Sequence, residues 1–305
     1  MKVNVKHFWL TSLFLLLIIT GISLQSAAQE TVIDNDVEID EDADELTSEY
    51  DWMFGLNLSQ NSYSDNWSGG GSDSFNAEGR TSFDARFTED VFGSRHNIDL
   101  RYGQTRVGGS GFEKSNDRIR LRNQFLRKFI DERWGAAINV NFDSQFEQKI
   151  EENEEENGTS TRIFFPGGEI IEMLGISFEP DRSFEAQAGL SMQQIFVRDR
   201  RLAPIFGLDE NQTFRNQAGF STVLSFSRAF LESFEYTGYI ETFSSFDKPV
   251  IDTNVTFVNE VVIDIHRYFT VNFDLEFRYN TDVDDEIQTR QVLSVGFRYD
   301  IFESD

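Results

Sequence analysis

The chain contains no cysteine, four prolines and three histidines. Without cysteine it has neither a disulfide framework nor the lipid-bearing cysteine of bacterial lipoproteins, and with so little histidine a zinc site lacks its usual ligands. Positive charge is also short, with 27 Lys and Arg against 53 Asp and Glu, a formal net charge of −26. That imbalance repels a polyphosphate and excludes nucleic acid as a partner. After residue 28, a charge or an asparagine breaks every apolar run before the ~20 residues that a helical span requires. A helical membrane protein is therefore excluded.

The one long apolar run comes first. Lys2 and Lys6 precede Leu13 to Ile19, and Ser26-Ala27-Ala28 places small residues before Gln29. This order reads as a secretory signal peptide over 1–28, with cleavage expected after Ala28. Its removal takes two lysines and leaves 25 basic against 53 acidic residues, or −28. Residues 29–50 follow as an acidic tail without periodicity, expected to be disordered in the periplasm. The runs Glu151 to Glu156 and Asp282 to Glu286 read as solvated loops.

What fills the rest is alternation of period two. Phe75, Ala77, Gly79, Thr81, Phe83, Ala85 and Phe87 occupy one face of a run whose other face carries Asn76, Glu78, Arg80, Ser82, Asp84 and Arg86. Only a strand puts alternate side chains on opposite faces. The pattern predicts twelve strands, near 51–62, 73–88, 95–106, 115–129, 133–147, 169–179, 183–197, 214–228, 232–246, 252–265, 267–281 and 289–302. Many reach or exceed the ~9–11 residues with which a tilted strand crosses a bilayer. Connections alternate between short, as at Pro180 to Arg182, and long, as at Lys149 to Gly168. Short periplasmic turns and long outer loops generate that alternation. Aromatic residues flank the short turns, among them Phe87, Phe92, Phe129, Trp134, Phe178 and Phe184, as an interfacial girdle would. The expectation is an all-β, up-and-down outer-membrane barrel over 51–302, surrounded by lipid. Its last strand, with Gly296, Tyr299 and Phe302, resembles the C-terminal signal read by the outer-membrane assembly machinery.

From Trp52 to Phe302 the chain also resembles an uncharacterised family of bacterial outer-membrane proteins. The residues that carry the resemblance are the loop Asn66-Trp67-Ser68-Gly69-Gly70, then Tyr102-Gly103, Lys114 to Ile119, Ser144-Gln145-Phe146 and the ending Gly296 to Phe302. The family has no assigned reaction, so the resemblance implies fold and location rather than chemistry.

Chemistry-bearing motifs are few. Ser94-Arg95-His96-Asn97 does not match the His-x-Ser-Asn-Gly pattern of outer-membrane phospholipases, and His266 reads as a turn histidine. Gly69-Gly70-Gly71 lacks the lysine and helix of a phosphate loop. No enzyme, cofactor or metal site is expected. The alternation does aim many charges into the lumen: Arg80, Arg86, Arg101, Arg118, Arg120 and Arg122, against Glu78, Asp84, Asp99, Asp143, Glu147, Asp274 and Glu276. Either they pair into a network that fills the barrel, or they line a narrow aqueous path. The corresponding functions are a small channel for hydrophilic solutes, or a non-conducting barrel that acts through its outer loops or tail.

Overall fold

The computed structural model describes residues 47–61, 72–129, 133–151, 160–231 and 233–303. The expected signal peptide, most of the tail and the loop from Asn66 to Gly70 lie outside the described residues. The strands in chain order are β1 (Thr47–Asn61), β2 (Ser74–Glu89), β3 (Phe92–Val107), β4 (Glu113–Lys128), β5 (Trp134–Ser144), β6 (Glu147–Glu151), β7 (Ser160–Phe164), β8 (Gly167–Asp181) and β9 (Phe184–Val197). They continue with β10 (Phe214–Leu231), β11 (Phe234–Ser245), β12 (Asn254–His266), β13 (Phe269–Asn280) and β14 (Asp284–Glu303). Twelve of them close into an antiparallel barrel in which β14 returns to β1, while β6 and β7 form a small separate sheet.

Closure removes the free edge that an open sheet of this length would present. Alternation then sorts the two faces. Leu174, Leu190 and Leu293 point outward and are 63%, 63% and 69% exposed. They share that outer face with Trp52, Phe54, Leu56, Ile98, Ile138 and Phe220. An apolar belt around a closed barrel, with the backbone of the wall paired from strand to strand, is the β architecture that crosses a bilayer. At the short-turn end Trp134 packs on Phe178 with ring centroids 4.6 Å apart, and Phe230 on Phe234 at 6.0 Å. The barrel thus carries an aromatic collar at that end.

Several features differ from the sequence expectation, among them the start of β14 at Asp284, inside the acidic run Asp282 to Glu286 expected as a solvated loop. β5 stops at Ser144, because the Asp117 carboxylate accepts the amides of Phe146 and Glu147 at 2.6 and 3.0 Å and bends the chain away from the ladder. Glu147 therefore opens the β6–β7 hairpin instead of facing the lumen wall, where it bonds Tyr102 and Arg162. The stretch expected as a long acidic loop accordingly contains two paired strands. Finally, β1 begins at Thr47, inside the expected tail, where Thr47 to Tyr50 pair with Thr88 to Ala85.

Candidate functional site in the barrel lumen

The inner face of β2, β3 and β4 is basic. Arg80, Arg101, Arg118, Arg120 and Arg122 fall on alternate positions, so the pleat sends all five guanidiniums inward. The inner face of β11 to β13 is acidic, with Glu241, Glu260, Asp274 and Glu276. These two walls meet across the lumen. Arg118 Nη2 lies 2.6 Å from Glu276 Oε2, although β4 and β13 are five strand steps apart through β3, β2, β1 and β14. Arg101 reaches Asp274 at 3.6 Å and Glu260 at 3.7 Å, and Arg80 pairs with the same Glu260. Arg122 reaches Glu241 at 3.5 Å.

Local acids complete the network. Asp99 holds Arg101 at 2.9 Å and Arg80 at 3.7 Å. Asp143 accepts from Arg120 at 2.9 Å and from Arg122 at 2.5 Å. Glu276 also takes Arg278 at 2.6 Å and Arg290 at 3.2 Å. Arg101, Arg118 and Glu276 are only 5%, 8% and 3% exposed. Charges this buried are tolerable only when paired and hydrogen-bonded.

The remaining expected residues sit away from this belt. Glu78 accepts from Asn116 at 2.8 Å, and Asp84 from Asn97 at 2.7 Å and Ser82 at 3.0 Å. Arg86 faces Glu49 at 3.7 Å nearer the short turns. A second bridge there was not visible in the sequence: Arg95 binds Glu179 at 2.7 Å and Glu185 at 2.9 Å. The wall between, on β5 and β8 to β10, mixes the carboxylates Asp143, Glu169 and Glu185 with amides and hydroxyls. Asn139 bonds Gln187, Asn141 donates to Glu241 at 2.9 Å, and Ser191 and Ser221 share a hydrogen bond of 2.7 Å. Among the described residues, no group of three His, Asp or Glu is placed to hold a metal ion.

Cavities lie on both sides of the belt and also within it, where one of about 460 Å³ is lined by Arg80, Asp99, Arg101, Arg118, Glu260 and Asp274. One of about 430 Å³ at the short-turn side is lined by Glu49, Arg86, Arg95 and Tyr239. Another of about 410 Å³ at the long-loop side is lined by Lys114, Asp117, Gln148 and Arg290. The chain between β9 and β10 folds as a 3-10 helix, Arg200–Phe206, capped by Asp199 and ended by Gly207 at φ 69°. It buries Leu202 and Ala203 completely against Ile195, Val197 and Leu208, with Ile150 and Ile163 of the β6–β7 hairpin beside them. An apolar cluster formed by inward strand ends and a folded loop fills part of that mouth.

The search of curated proteins returns no match. Among solved structures the chain is similar to the translocator domain of autotransporter NalP from Neisseria meningitidis, at 9% identity and TM-score 0.39, over 95% of this chain and 97% of that one. It is similar to the COG4313 outer membrane channel from Pseudomonas putida F1 at 8% identity and TM-score 0.38, over 87% and 99%. OmpT, an outer membrane protein of Vibrio cholerae, follows at 9% identity and TM-score 0.31, over 87% and 100%. Residues 58–149, which contain the whole basic wall, match the family described as "Protein of unknown function (DUF3078)".

Proposed function

We propose that the protein is an outer-membrane barrel that is shut at rest and acts through its outer loops or its periplasmic tail. The observation that carries this reading is the buried Arg118–Glu276 pair, which joins strands on opposite sides of the barrel at 2.6 Å. A water-filled pore keeps facing charges apart and hydrated, whereas Arg118 and Glu276 are buried against one another. The apolar cluster around Leu202 adds a second obstruction. An even strand number with short turns at one end supports both termini in the periplasm.

The two-walled charge pattern favours a second reading, a narrow channel for small hydrophilic solutes. Parting the walls would join the cavities by a route lined with arginine on one side and carboxylate on the other. Single-channel conductance of refolded protein in planar bilayers separates the two. The wild type is expected to show no conductance steps, and the double variant Arg118→Gln/Glu276→Gln to show them. Steady steps from the wild type would defeat the shut reading in favour of the channel.

A further inference from the structure

Near the short-turn end of β3 and β4, three polar side chains interrupt the apolar outer belt. The parity that sends Arg95 and Asn97 inward sends Ser94 and His96 outward, and the register sets His96 opposite Asn123. His96 Nδ1 stands 2.9 Å from Asn123 Oδ1, and Nε2 stands 3.3 Å from Ser94 Oγ. Asn123 Nδ2 donates to the Val140 carbonyl at 3.4 Å, which turns its amide oxygen toward the ring. In the tautomer that carries its proton on Nδ1, His96 donates to this amide oxygen and Nε2 accepts from the Ser94 hydroxyl. Phe87 and Phe125 flank the imidazole at 6.0 and 5.5 Å, and all three polar side chains remain partly exposed.

Nucleophile, base and an acceptor that orients the base are the parts of an acyl-transfer site. A serine–histidine separation of 3.3 Å suits an unliganded site, where such bonds are loose. We propose that Ser94, His96 and Asn123 form an ester-hydrolysing site on the lipid face, acting on the acyl esters of glycerophospholipids in the leaflet beside the short turns. Ser94 lies two residues from the strand start at Phe92, or roughly 7 Å along the strand. With the strand start at the bilayer edge, the site meets the ester linkages beneath a head group. Arg127, paired with Phe92 and 5.7 Å from its ring centroid, stands one step nearer the rim, where its guanidinium meets a lipid phosphate.

In the step itself, Ser94 Oγ bonds to the ester carbonyl carbon as its proton passes to His96 Nε2. The carbon–alkoxy bond breaks, and the lysolipid alkoxide leaves with that proton. Interfacial water, deprotonated by His96, then releases the fatty acid and restores Ser94. Asn123 is a positioning residue, since it acts through the imidazole. The site is independent of whether the lumen conducts.

The test uses refolded full-length mature protein in mixed micelles of a diacyl phosphatidylethanolamine and nonionic detergent, with fatty acid release measured. A fluorophosphonate probe reads Ser94 separately, located by peptide mass. Release and labelling are expected for the wild type. Ser94→Ala is expected to abolish labelling, and Ser94→Ala and His96→Phe to lower release by roughly a hundredfold or more, with unheated gel mobility reporting that each barrel has folded. Asn123→Leu is expected to lose activity and Asn123→Asp, which keeps the acceptor, to retain it. No release and no label on folded wild type would overturn the proposal, as would equal release from folded Ser94→Ala. Hydrolysis of a soluble short-chain ester with the phospholipid untouched would overturn the lipid assignment.

Discussion

Glu276 is the residue on which the lumen network turns, since Arg118, Arg278 and Arg290 all contact its carboxylate. Glu276→Ala strands buried arginine charge and is expected to cost about 3–5 kcal/mol in unfolding from lipid vesicles. The double change Arg118→Leu/Glu276→Leu is expected to recover part of that loss, because two apolar groups need no partner. On the other face of the same strand, Phe273 sits between Val261 and Leu293 in the apolar belt. Phe273→Arg is expected to cost about 2–4 kcal/mol in the same measurement; a silent substitution would mean that the inside and outside of β13 are exchanged. Part of this residue-level map was legible, because Arg118, Arg120 and Arg122 at every second position of β4, and Arg80 and Arg101 at polar positions of alternating runs, have only one face to occupy. Glu260 was not, since its inner-face neighbours Val258 and Val262 are apolar and erase the polar alternation that marks a lumen face. Glu241, beside Tyr239 and Phe243, was hidden in the same way. The Ser94–His96–Asn123 grouping escaped for another reason: the asparagine comes from the next strand, and only register brings it opposite the histidine.

Strands were the most readable elements, because their period is short and repeats many times. The β6–β7 hairpin was missed because a five-residue strand in an acidic stretch offers little pattern, and what creates it is the distant Asp117. The 3-10 helix at Arg200–Phe206 was also missed, although Asp199 before it and Gly207 after it are cap residues. Gly207 holds a left-handed φ of 69°, and a Cβ there would lie 2.7 Å from that of Asp282. Gly207→Val is expected to loosen the loop and expose its arginines, read as faster trypsin cleavage near Arg200 and Arg201 in folded protein. The Arg201 side chain and amide hold the Asp199 carboxyl down at about 2. A carboxyl depressed in the folded state stabilises above its unfolded value and loses that contribution as pH falls through the folded one. Resistance of the loop to an acid-active protease should therefore persist at pH 4 and be lost as the pH nears 2.

For the whole molecule, closure was foreseeable from strand number and turn alternation, but the bridges across the lumen were not. Periodicity says which way a side chain points, and nothing in it says how far the opposite wall stands. The seam between β1 and β14 is the last pairing that makes the barrel whole. There Gly296 faces Asn57, and a Cβ on Gly296 would collide with the Asn57 amide oxygen. Gly296→Val and the pair Tyr299→Ala/Phe302→Ala are both expected to lower the heat-sensitive, faster-migrating form in outer-membrane fractions. Recovery of folded wild type in the soluble periplasm would contradict the membrane assignment. The separation of charge along the chain bears on the order of biogenesis. Arginines concentrate in the strands made first and their transluminal acids in strands made last, with some 120 to 180 residues between partners such as Arg122 and Glu241 or Arg80 and Glu260. In a nascent sheet ending before β11, Arg80, Arg101, Arg118 and Arg122 still lack their partners Glu260, Asp274, Glu276 and Glu241, and the arriving C-terminal strands supply those carboxylates. Electrostatic attraction thus favours curling toward the closed cylinder over lateral addition of a foreign strand, so a truncated chain should linger on the insertion machinery.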